Sequence, residues 1–514
     1  MSVDVLFGQA YFLRFDPKLW AAQQPYAPLG TLYAAACARE RGYHVALFDA
    51  MLAASESEWS TALDEHRPRV AVLFEDSFNY LTKMCLLRMR QAALTMIEAA
   101  RQRGIRVIVA GSDASDHPEL YLQRGADLVI IGEGEATLVD VLDSWSGRRS
   151  DALSSIPGVC WSDPHGGIVR SARRDVIRDL DALPRPAWDL VNVERYRTIW
   201  RRHHGYFSMN LSTTRGCPYH CNWCAKPIYG QRYSARSPQS VVSEIAWLKE
   251  TYRPDHLWIS DDIFGLKPGW IEAFARGVAA RNARIPYKAL LRADGVSEVV
   301  ADALAASGCR TAWIGAESGS QRVLDAMEKG IRVDQIADAT RRLRARGIGV
   351  AFFLQFGYPG ETFGDIQRTL EMLQACRPDD IGVSVSYPLP GTAFYERVKA
   401  QLGPKQNWVD SDDLAMMYRS TYPPEFYRVL HRLVHAEFRS LRARQTVRRL
   451  AAHPAELNGR TMRELAGATL QRVRLPWLHR RLDRLAMAAA PADGPVLIPV
   501  LNRQAAAIPS EQPR

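Results

Sequence analysis

The residues whose types and spacing are most directly chemical form one run, Cys217-Pro218-Tyr219-His220-Cys221-Asn222-Trp223-Cys224. Three thiolates separated by three and then two residues can each hold one iron of a cubane iron–sulfur cluster. The fourth iron is then left without a protein ligand, open to a small chelating molecule. A structural zinc knuckle is the other chemistry such cysteines serve, but zinc asks for a fourth Cys or His two to five residues away. The nearest histidine, His220, lies inside the motif. The spacing therefore favours a cluster, with Cys217, Cys221 and Cys224 as its metal ligands and as the catalytic residues.

Such a loop needs a scaffold. Runs at 207–212, 256–260, 286–292, 310–315, 348–357 and 380–386 read as strands with helices between them. They predict a partial (βα)6 barrel open on one side, whose catalytic groups collect at the C-terminal ends of the strands. The cysteine loop follows the first strand. After the others come Ser260-Asp261-Asp262, Arg292-Ala293-Asp294, Gly315-Ala316-Glu317-Ser318-Gly319, Gly357-Tyr358-Pro359-Gly360-Glu361-Thr362 and Tyr387-Pro388-Leu389-Pro390-Gly391-Thr392. Arg292 and Asp294 also have a plainer reading, as a mutual salt bridge at the barrel rim.

Upstream, short apolar runs at 3–8, 43–48, 69–74, 105–110 and 127–131 alternate with helical stretches such as Leu29 to Arg41 and Leu86 to Arg103. This alternation predicts an α/β fold with a Rossmann-like, doubly wound parallel sheet, whose ligand crevice lies beyond the carboxyl ends of its strands. The expected organisation is residues 1–150 as that domain, 151–200 as a linker holding a hairpin over Gly158–Arg170, 201–402 as the barrel and 403–485 as a helical C-terminal region. The Ala- and Pro-rich stretch 486–514 is expected to be a disordered tail.

The cysteine run, with an aromatic residue just before its last cysteine, resembles the CxxxCxxC signature of the radical SAM enzymes. The resemblance implies a [4Fe-4S] cluster whose open iron binds S-adenosylmethionine (SAM), and one-electron cleavage to a 5′-deoxyadenosyl radical. It further implies that Trp223, Asp261, Asp262, Arg292, Glu317, Ser318, Gly357 and Gly360 line the SAM site. Asp261 and Asp262 stand where most of these enzymes carry a Gly-Gly-Glu for the methionine ammonium, Glu317 and Ser318 match a Glu-Ser-Gly element, and Arg292 is the nearest partner for the carboxylate. The first domain, with Tyr26-Ala27-Pro28-Leu29-Gly30 opening its first helix and Gly132-Glu133-Gly134-Glu135 closing its sheet, looks like the cobalamin-binding domain of one radical SAM subfamily. Its implied contacts are Tyr26, Ser77, Phe78, Asn79, Gly111, Ser112, Gly132, Glu133 and Gly134. There is no Asp-x-His-x-x-Gly, so cobalamin is expected without a protein histidine ligand. The Gln9–Tyr26 loop and the Phe78-Asn79-Tyr80 segment are placed to cover its lower face. The stretch from Asn407 to Met417 resembles the region after the barrel in the anaerobic magnesium-protoporphyrin monomethyl ester cyclase.

Over roughly residues 1–440 the resemblance implies a cobalamin-dependent radical SAM enzyme that C-methylates an unactivated carbon. Two alternatives stay open: cobalamin-assisted oxidation or cyclisation as in the tetrapyrrole cyclase, and a non-catalytic cobalamin or cluster sensor. The expected partners are a small-molecule or lipid-like substrate and a one-electron reductant such as flavodoxin or ferredoxin.

Composition bounds these readings. With 514 residues, 47% of them hydrophobic and 24% charged, the chain can build two or three full cores. It has no run of eighteen apolar residues and no basic, cleavable leader at its start, so no transmembrane segment and a cytoplasmic location are expected. The other cysteines, Cys37, Cys85, Cys160, Cys309 and Cys376, are scattered as small hydrophobes rather than spaced for disulfides. The net charge of +10 gathers at 170–178, 195–202 and 428–484 with no RNA-binding module beside it. This pattern excludes sequence-specific nucleic-acid binding and suggests a wet basic helix or a face for an anionic ligand or membrane surface. His431 and His435, four apart on that helix, form a candidate metal pair lacking a third ligand in register.

Overall fold

The computed structural model describes residues 3–224, 228–452 and 459–488. The β-branched runs of the first 150 residues form parallel strands β1 (Val5–Gly8), β2 (Val45–Leu47), β3 (Val70–Phe74), β4 (Arg106–Ala110) and β5 (Leu128–Ile130), in the spatial order β2-β1-β3-β4-β5. Most of their side chains are buried on both faces, which is why these runs are continuously apolar rather than alternating. The order reverses between β1 and β3, and the crevice of such a sheet opens at that reversal.

The hairpin expected inside a linker instead extends this sheet. Strands β6 (Val159–Ser162) and β7 (Ile168–Arg170) add to β5 in antiparallel fashion, with Ile130 opposite Val159. Buried Val159 and Cys160 carry the core across the join, and Asp163 accepts from the backbone of His165 and Gly167 to make the turn (both 2.8 Å).

The second large sheet is wholly parallel and strictly sequential. It begins with β8 (Ser208–Leu211). A short antiparallel ladder, β9 (Thr214–Arg215) with β10 (Ser234–Ala235), brackets the cysteine loop. Then come β11 (His256–Ile259), β12 (Tyr287–Leu291), β13 (Cys309–Glu317), β14 (Gly349–Phe356) and β15 (Asp380–Val385). These are six strands of an open barrel, in the order β8-β11-β12-β13-β14-β15. Helix starts between them are set by side-chain caps: Ser237 accepts from Ser240 N, Ser297 from Val300 N, and Thr362 forms a reciprocal capping box with Asp365.

Both barrel edges are covered, which removes their free backbone from solvent. On β8 the segment Pro25–Ala27 of the first domain docks: Tyr26 Oη meets Ser208 Oγ (3.0 Å) and Asn210 Nδ2 donates to Ala27 O (2.9 Å). Beyond β15 lies the helix Pro424–Ala452, which packs along the helix Gly459–Ala488. Among the described residues no helix is long and apolar enough to cross a membrane. The tail expected over 486–514 lies outside the described residues from position 489 onward.

Candidate functional site

The cysteine loop is fixed at both ends before its thiols come into play. At its entrance the Asp261 carboxylate, just beyond β11, accepts from Thr213 N (2.7 Å), Thr214 N (3.0 Å) and Thr213 Oγ1. Burial still holds the Asp261 pKa up at about 6. Asp261 is thus the clamp of the loop, its oxygens taken up by Thr213 and Thr214. Gly216 lets the returning chain pass, because a Cβ there would lie 2.2 Å from Arg232 O. Inside the motif, Asn222 joins three segments: its Nδ2 donates to Ala326 O (2.9 Å), its Oδ1 accepts from Tyr358 Oη (2.9 Å), and its backbone O accepts from Phe394 N (2.9 Å).

Cys217 is buried, Cys221 and Cys224 are half-buried, and His220 is exposed. Among the described residues no three Cys, His, Asp or Glu side chains converge as ligands of a single ion. The thiols of a cubane bind three different irons and have no need to converge on one point. The surroundings suit an anionic cluster. Arg292 lies over the Tyr219 ring (3.6 Å), and the charge of Cys221 acts on both Arg292 and Lys329. Three thiols with two cations in reach fit the group chemically.

Arg292 is nevertheless fully occupied. It makes a bidentate pair with Asp294 (3.0 Å twice) and donates to Lys329 O (3.0 Å), so the rim salt bridge is what the structure shows. The free-standing acid–base pair at the strand ends is Glu317 with Lys329, Oε1 to Nζ at 2.8 Å, both nearly enclosed. Gly315 makes room for it, since a Cβ there would lie 2.7 Å from Lys329 Nζ. Ser318 is spent on its own turn, bonding Thr369 Oγ1 (3.1 Å) and Ser320 N (3.1 Å). Gly357 packs on Met416 and Tyr427, and Gly360 O accepts from Arg322 (2.8 Å). Trp223 Nε1 and Glu361 Oε1 are among the buried polar atoms with no partner among the described residues; burial pushes the Glu361 pKa up to about 8.

Across from the barrel stands the crevice of the first sheet. Glu75 after β3 accepts from Ala10 N after β1 (2.9 Å) while its other oxygen is buried without a partner, and burial raises its pKa to about 8. Asp76 accepts from Gly30 N (2.9 Å) and so ties the first helix to the same edge. Gly111 and Gly134 pack against Glu75 and Phe74, Ser112 is buried just after β4, and Gly132 N donates to Ser115 Oγ (3.1 Å). Tyr26 is elsewhere, between Trp200 and the barrel strands with Lys288 over its ring (5.4 Å).

The two halves meet at a buried cation. Arg215, two residues before Cys217, binds Glu133 (2.5 Å) and Glu135 (2.7 Å), with all three side chains 4% exposed. The rings of Tyr33, Phe78 and Tyr229 stand 5.4–5.6 Å from its guanidinium. Ser77 bonds Tyr229 Oη (2.7 Å) beside it. A second bridge joins Lys83 to Asp262 (2.6 Å). Asn79 caps the turn by accepting from Leu81 N (3.0 Å). Tyr80 is ringed by protein yet 58% of its surface is open. That enclosure first, then the charges of Cys224, Glu317, Tyr387 and Asp262, push its hydroxyl pKa up. An open aromatic ring thus stands where charges from the cysteine loop and from the barrel strand ends both reach it, and such a ring suits contact with a planar cofactor.

Sequence reasoning gave no role to Arg215, Asn222, Lys83 or Lys329. Arg215 carried one signal, a charged residue between the first barrel strand and the motif, where burial demands a partner.

Comparison with known proteins agrees with this geometry. Residues 21–142 match the B12 binding domain and residues 211–373 match the radical SAM superfamily. An uncharacterized methyltransferase of Pyrococcus horikoshii is 27% identical over 309 residues, 59% of this chain and 66% of that protein. The anaerobic magnesium-protoporphyrin IX monomethyl ester cyclase of Synechocystis is 24% identical over 284 residues, 54% of this chain and 55% of its own length. The match thus spans between half and two thirds of each of these relatives. The solved structure of the radical SAM methyltransferase TsrM from Kitasatospora setae, with cobalamin and a [4Fe-4S] cluster bound, shares the fold at a TM-score of 0.64, with 22% identity and 78% of each chain covered. The chain thus carries a B12-binding domain followed by a radical SAM domain.

Proposed function

We propose that this chain is a cobalamin-dependent radical SAM enzyme that methylates an unactivated carbon of a small-molecule or lipid-like substrate. One observation carries the reading: Glu133 and Glu135, at the ligand edge of the B12-binding sheet, bind Arg215, two residues before the first cysteine of the motif. The methyltransferase relative, and the shared fold of a radical SAM methyltransferase that holds cobalamin and a cluster, support it.

Cys217, Cys221 and Cys224 would hold the cluster. Glu317 and Lys329 offer an acceptor and a donor to the amino-acid end of SAM, in place of the saturated Asp261 and Arg292. The edge from Glu75 to Phe78, Ser112, and Gly132 to Gly134 would face cobalamin, with Tyr80 against its plane. When bound, these groups supply a hydrogen-abstracting radical and a transferable methyl group, chemistry no side chain offers. The chain's own residues position and seal. Asp261 and Asn222 hold the cysteine loop in one conformation, Lys329 and Arg292 balance its negative charge, and Phe78, Tyr229 and Tyr33 keep water from the interdomain ion pairs. The electron would come from a flavodoxin- or ferredoxin-like partner in the cytoplasm.

Oxidation or cyclisation drew its support from the Asn407–Met417 stretch. In the structure that stretch is a strap: Trp408 O accepts from Leu87 N (2.8 Å), Ser411 bonds Asp16, and Trp408 packs edge-on against Tyr387 (4.6 Å). A strap between domains serves methylation equally well. The test is trideuteromethyl-SAM with the reduced, reconstituted protein and extracts of its host. A product carrying three deuterons, absent with Cys221→Ala, is expected; 5′-deoxyadenosine formation with no label in any product would refute methylation.

A further inference from the structure

Positions four and seven or eight apart return to one side of a helix, so the helix Pro424–Ala452 presents His431, Arg432, His435 and Arg439 on adjoining faces. Together with Lys18, Asp412 and the Val473–Leu478 turns of the helix Gly459–Ala488, they line an open pocket of about 870 Å3. That is the size of a pocket for a whole small molecule.

Four lining side chains are cationic, Lys18, Arg432, Arg439 and Arg474, against the single carboxylate of Asp412. Among the described residues none of the four has a side-chain hydrogen bond or ion pair. On the same two helices, away from the cavity, Arg481 does pair with Glu425, and His479 with Glu437 (2.9 Å). What sets the cavity apart is that four unpaired cations line one space. The rings of His431 and His435 stand 4.5 Å apart, and His431 Nε2 is buried without a partner. Burial first, then the neighbouring Lys18, Arg432 and Arg439, hold the His431 pKa down at about 4. Both imidazoles are neutral at physiological pH and offer N–H donors without adding repulsion. The same positive field opposes a metal cation there, and among the described residues no third ligand completes a set. Trp477, 51% exposed, and Val473 give the cavity an apolar wall.

We propose that this cavity binds the phosphate group of a ligand whose remaining body is apolar or aromatic, at a site separate from the interdomain cleft. Three guanidinium groups and an ammonium around one space exceed what one carboxylate can balance, and the guanidinium fork matches phosphate oxygens. Lys18 belongs to the first domain and Asp412 to the strap that also binds Asp16, so a bound phosphate ties the first domain to the C-terminal helices. The inference stands independently of the methylation reading.

The test uses the full chain with two probes, inorganic pyrophosphate by calorimetric titration, and phosphatidylglycerol against phosphatidylcholine vesicles by co-sedimentation. Arg432→Gln/Arg474→Gln, checked for an unchanged melt, is expected to weaken binding at least about tenfold, because charge-assisted bonds are lost. Lys18→Gln, at an exposed position on another element, weakens it without touching the helix pair, and Arg276→Gln on a barrel helix leaves it unchanged. Pyrophosphate binding alone identifies a soluble phosphate ester, and phosphatidylglycerol binding alone a lipid headgroup; each supports the site. Binding of neither probe, or equal binding by the wild type and the double variant, overturns it.

Discussion

Replacing Arg215 with Met removes the cation between Glu133 and Glu135 and leaves two carboxyl groups, each 4% exposed, with no counter-charge. Breaking a buried pair by deleting one partner costs about 3–5 kcal/mol. Met recovers part of the contact with Tyr33, Phe78 and Tyr229, so the lower half of that range is expected. At about 2–4 °C per kcal/mol for domains of this size, the melt should fall by roughly 6–16 °C. The loss depends on pH, and its sign follows from linkage. Burial already raises the Glu133 pKa, and Arg215 is the charge that lowers it. Without Arg215 the folded pKa of Glu133 rises further above its unfolded value. A group raised in this way costs nothing below its unfolded pKa, and its cost grows as pH climbs through the folded one. The deficit relative to wild type should therefore be small near pH 5 and full near pH 8, measured by calorimetric melts at both. A variant that melts with the wild type at pH 8, or whose deficit is larger at pH 5, refutes this account of the domain junction.

Cys221→Ala should retain the fold but lose cluster iron and all 5′-deoxyadenosine formation, measured by iron analysis and chromatography. Lys329→Gln leaves Glu317 buried beside the cysteine loop without its cation, so SAM affinity should fall about tenfold or more while cobalamin content holds. Glu361, with a folded pKa of about 8, holds a proton that the unfolded chain releases near 4.5, so its contribution to stability declines between those values. Glu361→Gln should flatten that decline and be the more stable protein at pH 9, by on the order of a few kcal/mol, as urea melts across pH would register. Tyr80→Ala removes an open ring from the cleft and should loosen cobalamin about tenfold without changing iron content.

The strands were legible because their residues decide locally: β-branched runs such as Val70–Phe74 and Gly349–Phe356 lie within a residue or two of where alternation and turn residues put them. The cysteines were legible for the same reason, since spacing within eight residues states their chemistry. What could not be read was which polar groups were already satisfied. Asp261 looks like a ligand for an ammonium until Thr213 and Thr214, nearly fifty residues away, are seen to use its oxygens. Arg292 likewise spends its donors on Asp294 and on Lys329 O, and the Lys329 side chain that its loop brings in stands against Glu317 instead. Tyr26 opens the first helix in sequence but docks on β8, a contact set by the packing of two sheets. The hairpin Gly158–Arg170 could be seen as a hairpin, yet only the exposed edge of β5 decided where it would attach.

The central claim is that one cleft, between the first sheet and the cysteine loop, receives both cobalamin and the cluster. Its most direct measurement is the cobalamin and iron content of anaerobically reconstituted full-length protein after removal of free cofactor, for the wild type and for Arg215→Met. The account predicts close to equimolar cobalamin and about four irons in the wild type, with cobalamin falling in the variant because the edge that faces it is no longer locked to the barrel. Wild-type protein that keeps its iron but washes free of cobalamin would contradict it, and would reduce the first domain to a scaffold for a simpler hydrogen-abstracting enzyme.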